Sequence, residues 1–319
     1  MKRKKAIIFG ITGQDGSYLS NLLLKKKYQV FGITRSKNRK NLKSLDKLQV
    51  TKKIKLLEVK KLSQKIIDQI IKKLNPEEIY YLAGQSSVSY SFEDPIDTYL
   101  SNNSGLFYIL ESIRNQKKKT HIYNSVSSEC FGNQKYNLCN EKTDFNPVSP
   151  YGRSKALSFW LSKYYRENYK IKVSNGILFN HESILRNKNF VTKKIVNFVK
   201  NYKKSNKKEN LYLGNIKVVR DWGWANEYVE AIYKINSNKI SGDFVVGTGK
   251  AHSLYDFIKI IFKKKNIPLS RIKISNKFVR PNEIKKTVAN NKKIKKVLNW
   301  KPEIKFKDMT LKLLQDELF

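Results

Sequence analysis

Tyr151 and Lys155 stand four residues apart, so on a helix they share one face. Twenty-two residues before Tyr151 a carboxylate, Glu129, follows Ser127 and Ser128. A lysine ammonium beside a phenol favours the phenolate and makes a usable base near neutral pH. Near the start of the chain, Gly10, Gly13 and Gly16 follow a strand-like run and precede a helix-like one. In that setting the first glycine permits a tight turn and the second lets backbone N–H groups approach a pyrophosphate. The third lets a helix pack closely, with its anion-favouring N-terminus at the turn. Each signal is modest by itself, because Tyr-x-x-x-Lys arises easily in a lysine-rich chain with 18 tyrosines. In this order they describe oxidation of a sugar hydroxyl beside a nicotinamide cofactor.

An acid about 20 residues beyond the glycines would hold a ribose 2′-hydroxyl. The second strand-like run is instead followed by Arg35, with Ser36, Lys37 and Arg39 behind it, which suits a 2′-phosphate. NADP is therefore expected in preference to NAD.

These groups need a scaffold, and through residue 178 the chain alternates strand-like and helix-like stretches. Residues 5–9, 29–34, 54–59, 78–82, 121–125 and 173–178 read as strands, and 17–26, 63–74, 105–114 and 151–169 as helices. Pro150, just before Tyr151, suits a helix start. The expected fold is α/β: a Rossmann-like doubly wound parallel sheet over 1–178, with part of 217–240 returning to it. A smaller mixed α/β C-terminal substrate lobe is expected over 179–319. Residues 203–208 read as an exposed, mobile loop. Trp222 and Trp224 read as core, and Glu227 and Glu230 as structural members of a helix.

Composition narrows the class further. A chain of 319 residues with 40% hydrophobic content can bury a sizeable core. No window approaches the roughly 20 apolar residues of a membrane span. The apolar run after the basic start covers only Ala6 to Phe9 and enters the glycine motif, so a cytoplasmic protein is expected. Cys130 and Cys139 are the only cysteines, and His121, His181 and His252 are scattered, so neither disulfides nor a metal site is expected. The net charge of +39 suggests nucleic acid. However, only ten of the 65 cationic residues are arginine, and the lysines fall in short runs along the whole chain. That pattern reads as a solvated surface whose field helps recruit an anionic small substrate.

Longer stretches carry a resemblance. GITGQDGSYL at Gly10, SSECFG at Ser127 and SPYGRSK at Ser149 are similar to the extended short-chain dehydrogenase/reductases that act on nucleotide sugars. NHES at Asn180, NFVTKKI at Asn189, RDWGWANEYVEA at Arg220, RPNEI at Arg280 and LNWKPEI at Leu298 narrow it to the GDP-mannose 4,6-dehydratases. The resemblance implies that Tyr151 takes the proton of the sugar 4-hydroxyl, Ser127 hydrogen-bonds O4, and Glu129 removes the C5 hydrogen and helps water leave from C6. It places the cofactor against Gly10, Thr12, Gly13, Gln14, Asp15, Gly16, Arg35, Leu82, Ala83, Gly84, Gln85, Ser86, Lys155, His181 and Arg186. It places GDP-mannose, or a related nucleotide sugar, against Ser86, Asn180, Lys194, Arg220, Arg280 and Glu283. A homodimer or homotetramer is implied.

Some positions depart from the family pattern. Val59-Lys60-Lys61 stands where Gly-Asp-Leu is usual, which removes an adenine contact. Ser36 stands where a second arginine is common, in a segment that reaches a neighbouring subunit in tetrameric relatives. Two alternatives have different signatures. An epimerase or reductase on another nucleotide sugar would release no water, and a non-catalytic basic Rossmann protein would bind oligonucleotides with steep salt dependence.

Overall fold

The computed structural model describes residues 3–135, 138–203 and 209–319, so the loop expected at 203–208 lies, apart from Lys203, outside the described residues. Seven strands form the main sheet: β1 (Lys5–Phe9), β2 (Gln29–Thr34), β3 (Lys55–Glu58), β4 (Glu78–Tyr81), β5 (His121–Ser127), β7 (Val173–Leu178) and β11 (Asp243–Val246). They lie in the order β11-β7-β5-β4-β1-β2-β3, every neighbour parallel. Central strands of such a sheet are covered on both faces and read as apolar runs, as the buried Ala6, Ile7, Ile8 and Phe9 of β1 do. Alternate residues feed two cores. Ile8, Val30 and Tyr80 point to one face, and Ile7, Phe31 and Ile79 to the other.

The helices follow in chain order: α1 (Gln14–Lys25), α2 (Arg39–Lys47), α3 (Gln64–Leu74), α4 (Val88–Glu93), α5 (Pro95–Asn115), α6 (Pro150–Asn168), α7 (Val191–Asn201), α8 (Ala225–Ser237), α9 (Leu254–Lys264), α10 (Lys292–Leu298) and α11 (Phe306–Gln315). Residues of α1, α2, α8 and α10 enter the first core, and α3, α5 and α6 the second. The sheet thus takes β11 and α8 from beyond residue 178.

Two helices start earlier than their apolar spacing indicates. Gly13 N-caps α1, so the turn residues Gln14 to Gly16 are themselves helical. Pro95 opens α5 after Asp94 accepts a hydrogen bond from the Asp97 N–H at 2.8 Å. The inward positions Thr98 and Asn102 are polar yet fully buried, which interrupts the hydrophobic period.

The second sheet is smaller and mixed. β12 (Ala251–Ser253), β10 (Val219–Trp224), β14 (Lys286–Ala289) and β6 (Leu138–Cys139) run side by side, and β8 (Asn180–Glu182) also pairs with β10. A separate parallel pair joins β9 (Leu211–Leu213) to β13 (Ile272–Ile274). The chain passes from the large sheet to the small one at the buried Phe179, between β7 and β8. α7, α9 and α11 close a core that holds Trp222 and Trp224, as expected for these two rings. Winding of the main sheet reverses between β1 and β4. A crevice forms at the carboxyl ends of strands at such a point, and ligands bind there.

Candidate active site

Gly10 ends β1 at φ +82°, and a Cβ there would lie 2.8 Å from the carbonyl of Leu82 and the N–H nitrogen of Ala83. A Cβ at Gly16 would lie 2.3 Å from the Gly10 oxygen, so α1 can press on its own turn only with glycine at that position. The Gly13 N–H donates to the Gly10 oxygen at 3.1 Å, and no side chain caps α1. The result is a close backbone cradle at a helix N-terminus, which fits a phosphate-bearing dinucleotide.

β5 ends at Ser127 and runs into a single 3₁₀ turn, Ser128–Cys130, that carries Glu129. The Ser127 hydroxyl accepts from the Glu129 N–H at 3.3 Å. α6 follows with Ser149 as N-cap, its hydroxyl accepting from the Gly152 N–H at 3.0 Å, and Pro150 in the first turn. Tyr151 and Lys155 are both buried. The Lys155 Nζ donates to the Ser125 carbonyl at 2.9 Å, pointing the lysine along the end of β5.

One cavity of about 430 Å³ collects these groups. Ser127, Glu129, Tyr151 and Lys155 line it, together with Gly10, Gly13, Gln14, Asp15 and Gly16 from the first turn and Leu82, Gly84, Gln85 and Ser86 from the segment after β4. From the smaller lobe come Asn180, His181, Arg186, Lys194, Arg220, Arg280 and Glu283. Three expected cofactor contacts lie off this wall. Thr12 sits within the turn, Ala83 backs onto Gly10, and Arg35 is exposed where β2 ends.

Burial dominates the electrostatics at the tyrosine. Burial pushes the Tyr151 phenol well above its usual range, and Ser127's hydrogen bond and the Arg186 charge only partly oppose this. The Lys155 ammonium donates to the Ser125 carbonyl. Burial lowers Lys155 itself to about 8.

On the opposite wall, Arg220 is buried and donates to the carbonyls of Val219 and Ile284 at 3.0 and 2.7 Å. Arg280 lies 3.9 Å from Glu283. Lys194 donates to the Tyr212 carbonyl at 2.8 Å and sits 3.7 Å from the Phe278 ring centre. Arg186 stacks on Phe190 at 3.7 Å and lies 3.5 Å from Glu182. These cations line the same cavity as the glycine turn and Glu129, a set of groups suited to an anionic ligand.

The family model described as GDP-mannose 4,6 dehydratase matches residues 7–313. The chain belongs to the GDP-mannose 4,6-dehydratase family. It is 34% identical to GDP-mannose 4,6 dehydratase 2 of Caenorhabditis elegans, covering 99% of this chain and 90% of that protein. It is 35% identical to GDP-mannose 4,6 dehydratase 1 of Arabidopsis thaliana, covering 99% and 90%. Among solved structures, a dTDP-glucose 4,6-dehydratase from Streptomyces venezuelae, with NAD bound, superposes at a TM-score of 0.85 with 17% identity, covering 98% of this chain and 96% of the other.

Within this dehydratase chain, several wall residues were not singled out from sequence. Glu182, Asn189, Phe190, Thr192, Gly214, Asn215 and Phe278 line the cavity. The NHES and NFVTKKI stretches contain the first four, so the signal was present, but nothing local marked which of their side chains turn inward. Asp221, inside RDWGWA, is wholly buried and off the wall. Its carboxylate accepts from the N–H groups of Thr248, Gly249 and Ala289 and from the Thr248 hydroxyl. Glu227 accepts from the N–H groups of Glu303 and Ile304, a structural role as expected. Among the described residues no group of three or more His, Cys, Asp and Glu could hold a metal ion, and no helix is long and apolar enough to cross a membrane.

Proposed function

We propose that the chain is an NADP-dependent GDP-mannose 4,6-dehydratase. It would convert GDP-mannose to GDP-4-keto-6-deoxymannose by oxidation at C4, water loss across C5–C6 and reduction at C6. The observation that carries this reading is that Glu129 lines the same cavity as Ser127, Tyr151 and Lys155. An epimerase or simple reductase needs the hydroxyls and the lysine, but no carboxylate two residues beyond the serine.

When bound in the glycine cradle, a nicotinamide dinucleotide supplies the C4 oxidation and the hydride returned to C6. Tyr151, as the phenolate that the Lys155 ammonium favours when it stands beside it, receives the proton of the 4-hydroxyl, with Ser127 hydrogen-bonding O4. The C4 ketone acidifies the hydrogen on C5, and Glu129 removes it. Glu129 then carries that proton to the C6 hydroxyl, which departs as water, and C5 regains a proton from Tyr151 as the hydride returns to C6. Lys155 orients the bound ribose, and Arg220 and Arg280 face the diphosphate of GDP. Preference for NADP is supported by Arg35, exposed at the end of β2 with Lys37 and Arg39 beyond it. Arg35→Ala should weaken NADP at least tenfold and leave NAD affinity unchanged.

A homodimer is supported by one apolar face across α5 and α6. Ile96, Leu100, Phe107, Leu157, Trp160 and Tyr164 are exposed there on two adjacent helices at helical spacing. Trp160→Glu should yield a monomer by sedimentation, and a dimer that survives it would place the interface elsewhere.

The enzyme is tested with GDP-mannose and a catalytic amount of NADP+, following the sugar nucleotide by mass spectrometry. Loss of one water with no net change in cofactor is expected. Unchanged mass, or net conversion of the cofactor, would overturn the reading.

A further inference from the structure

Asp15 and His181 take part in no proton transfer described above, yet they meet in the mouth of the glycine cradle. Asp15, in the first turn of α1, places a negative charge where the helix N-terminus favours a bound anion. His181 faces it from β8, its Nε2 3.0 and 3.1 Å from the two carboxylate oxygens. Its Nδ1 lies 2.7 Å from the Phe179 carbonyl oxygen. A carbonyl only accepts, so Nδ1 carries a proton. The proton between Nε2 and Asp15 then decides between an ion pair and a neutral pair.

The surroundings select the ion pair. Burial alone would raise Asp15, but the charge and hydrogen bond of His181, then Gln14 and Arg186, hold it below 3.8. Burial would lower His181, but the Asp15 carboxylate raises it above 6.5 against a smaller push from Arg186. Tyr228 of α8 stacks on the imidazole at 4.7 Å. Asp15 from α1 and Arg186 from the turn after β8 are the charged groups that shift the ring most. Neighbouring bonds fasten the same contact. Gln14 donates to the His181 carbonyl at 3.2 Å and accepts from the Ser183 hydroxyl at 2.9 Å.

We propose that His181 is a fixed imidazolium that cancels the charge of Asp15 at the anion-binding mouth, while Asp15 fastens the cofactor helix to the smaller sheet. A dinucleotide then binds beside a neutral pair while His181 is protonated, and beside an uncovered carboxylate once it is not. This rests on the cofactor reading above. Affinity for NADP should therefore fall as pH rises through the folded-state titration of His181, by about tenfold, the scale of one unit charge roughly 10 Å away at an effective dielectric near 20.

NMR titration of His181 in the ligand-free protein reads its charge directly. It should stay protonated above pH 6.5 in the native protein and titrate below that in Asp15→Asn. A native value at or below 6.5 would overturn the ion pair. Calorimetry with NADP between about pH 6 and 9 tests the consequence. Asp15→Asn should lose the high-pH weakening that the native protein shows. His181→Gln should bind about tenfold more weakly at pH 7, and Asp15→Asn with His181→Gln should recover native affinity. Lys155 titrates in the same range and feels the Asp15 charge, so the four proteins are also compared in a Lys155→Met background, where the remaining differences between profiles report the pair. Single losses that add in the double variant, with parallel pH profiles, would mark an architectural contact and remove the proposal alone. A native protein that binds no NADP would remove the cofactor reading and the proposal with it.

Discussion

Gly152→Ala tests whether close approach of α6 to the Glu129 turn sets the active-site geometry. Gly152 has ordinary helical backbone, so alanine brings no strain there and would by propensity favour α6 by about 1 kcal/mol. Space argues the other way. The added Cβ would lie 2.7 Å from the Glu129 carbonyl oxygen and 3.1 Å from the Pro147 Cβ, whereas ordinary contact begins at 3.4 Å. Helix and turn must therefore separate by 3.4 − 2.7 = 0.7 Å. Neither yields freely. The Asn124 side chain of β5 donates to the Ser158 carbonyl and the Ser162 hydroxyl of α6, and the Asn146 N–H holds the Cys130 carbonyl of the turn. The shift falls between Tyr151, next in the chain, and Glu129. Misplacement of a reacting group by about 1 Å can lower the rate about a hundredfold, so kcat should fall about 10- to 100-fold. Overpacking costs about 1–3 kcal/mol, which outweighs the propensity gain and lowers the melting temperature by a few degrees. The dinucleotide contacts lie on the cradle, so the NADP dissociation constant should stay within about twofold. The assay is steady-state dehydration with a melting curve and calorimetry on the same preparation. A variant with kcat within twofold of native and a raised melting temperature would refute the reasoning, because the contact would then be slack.

Other outcomes follow from the same geometry. Glu129→Gln should bind NADP normally and release no water from GDP-mannose, since the amide cannot accept the C5 proton; retained turnover would remove Glu129 from the mechanism. Lys155 titrates near 8 in the fold against 10.5 unfolded, so its ammonium is disfavoured by folding. Below pH 8 the full penalty applies, and stability rises with pH between 8 and 10.5 as the unfolded chain holds the extra proton. Lys155→Met should accordingly abolish turnover and raise the melting temperature at pH 7, and a lower melting temperature would mean that the bond to Ser125 outweighs desolvation. In the native protein kcat/KM should decline above about pH 8 as the ammonium is lost. Asp221→Asn turns an amide N–H₂ toward backbone donors and should cost about 2–4 kcal/mol in urea unfolding, with an unchanged slope.

Local rules made much of this protein legible. Backbone sterics act within a few residues, so the glycine turn at Gly10, the alternation of strands and helices, and the shared face of Tyr151 and Lys155 could be read from spacing alone. Stretches such as NHES and RDWGWA carried the family, and with it the small lobe's contribution to the site. What spacing could not carry depends on where distant segments meet. β11 joins β7 and α8 packs on α1 because apolar faces must be covered, and many chain orders would cover them equally well. The inward polar residues of α5 are tolerated only because partners from elsewhere bond them: Asn102 reaches Gln85 and Ser154. Tyr151's weak acidity follows from burial, which no pair spacing encodes. Asp15 and His181 are 166 residues apart and become one charged pair only when β8 is laid across the start of α1. Charge and solvation are properties of the folded surroundings, so the sequence determined the elements and their chemistry, and the tertiary structure decided which groups are buried, paired and charged.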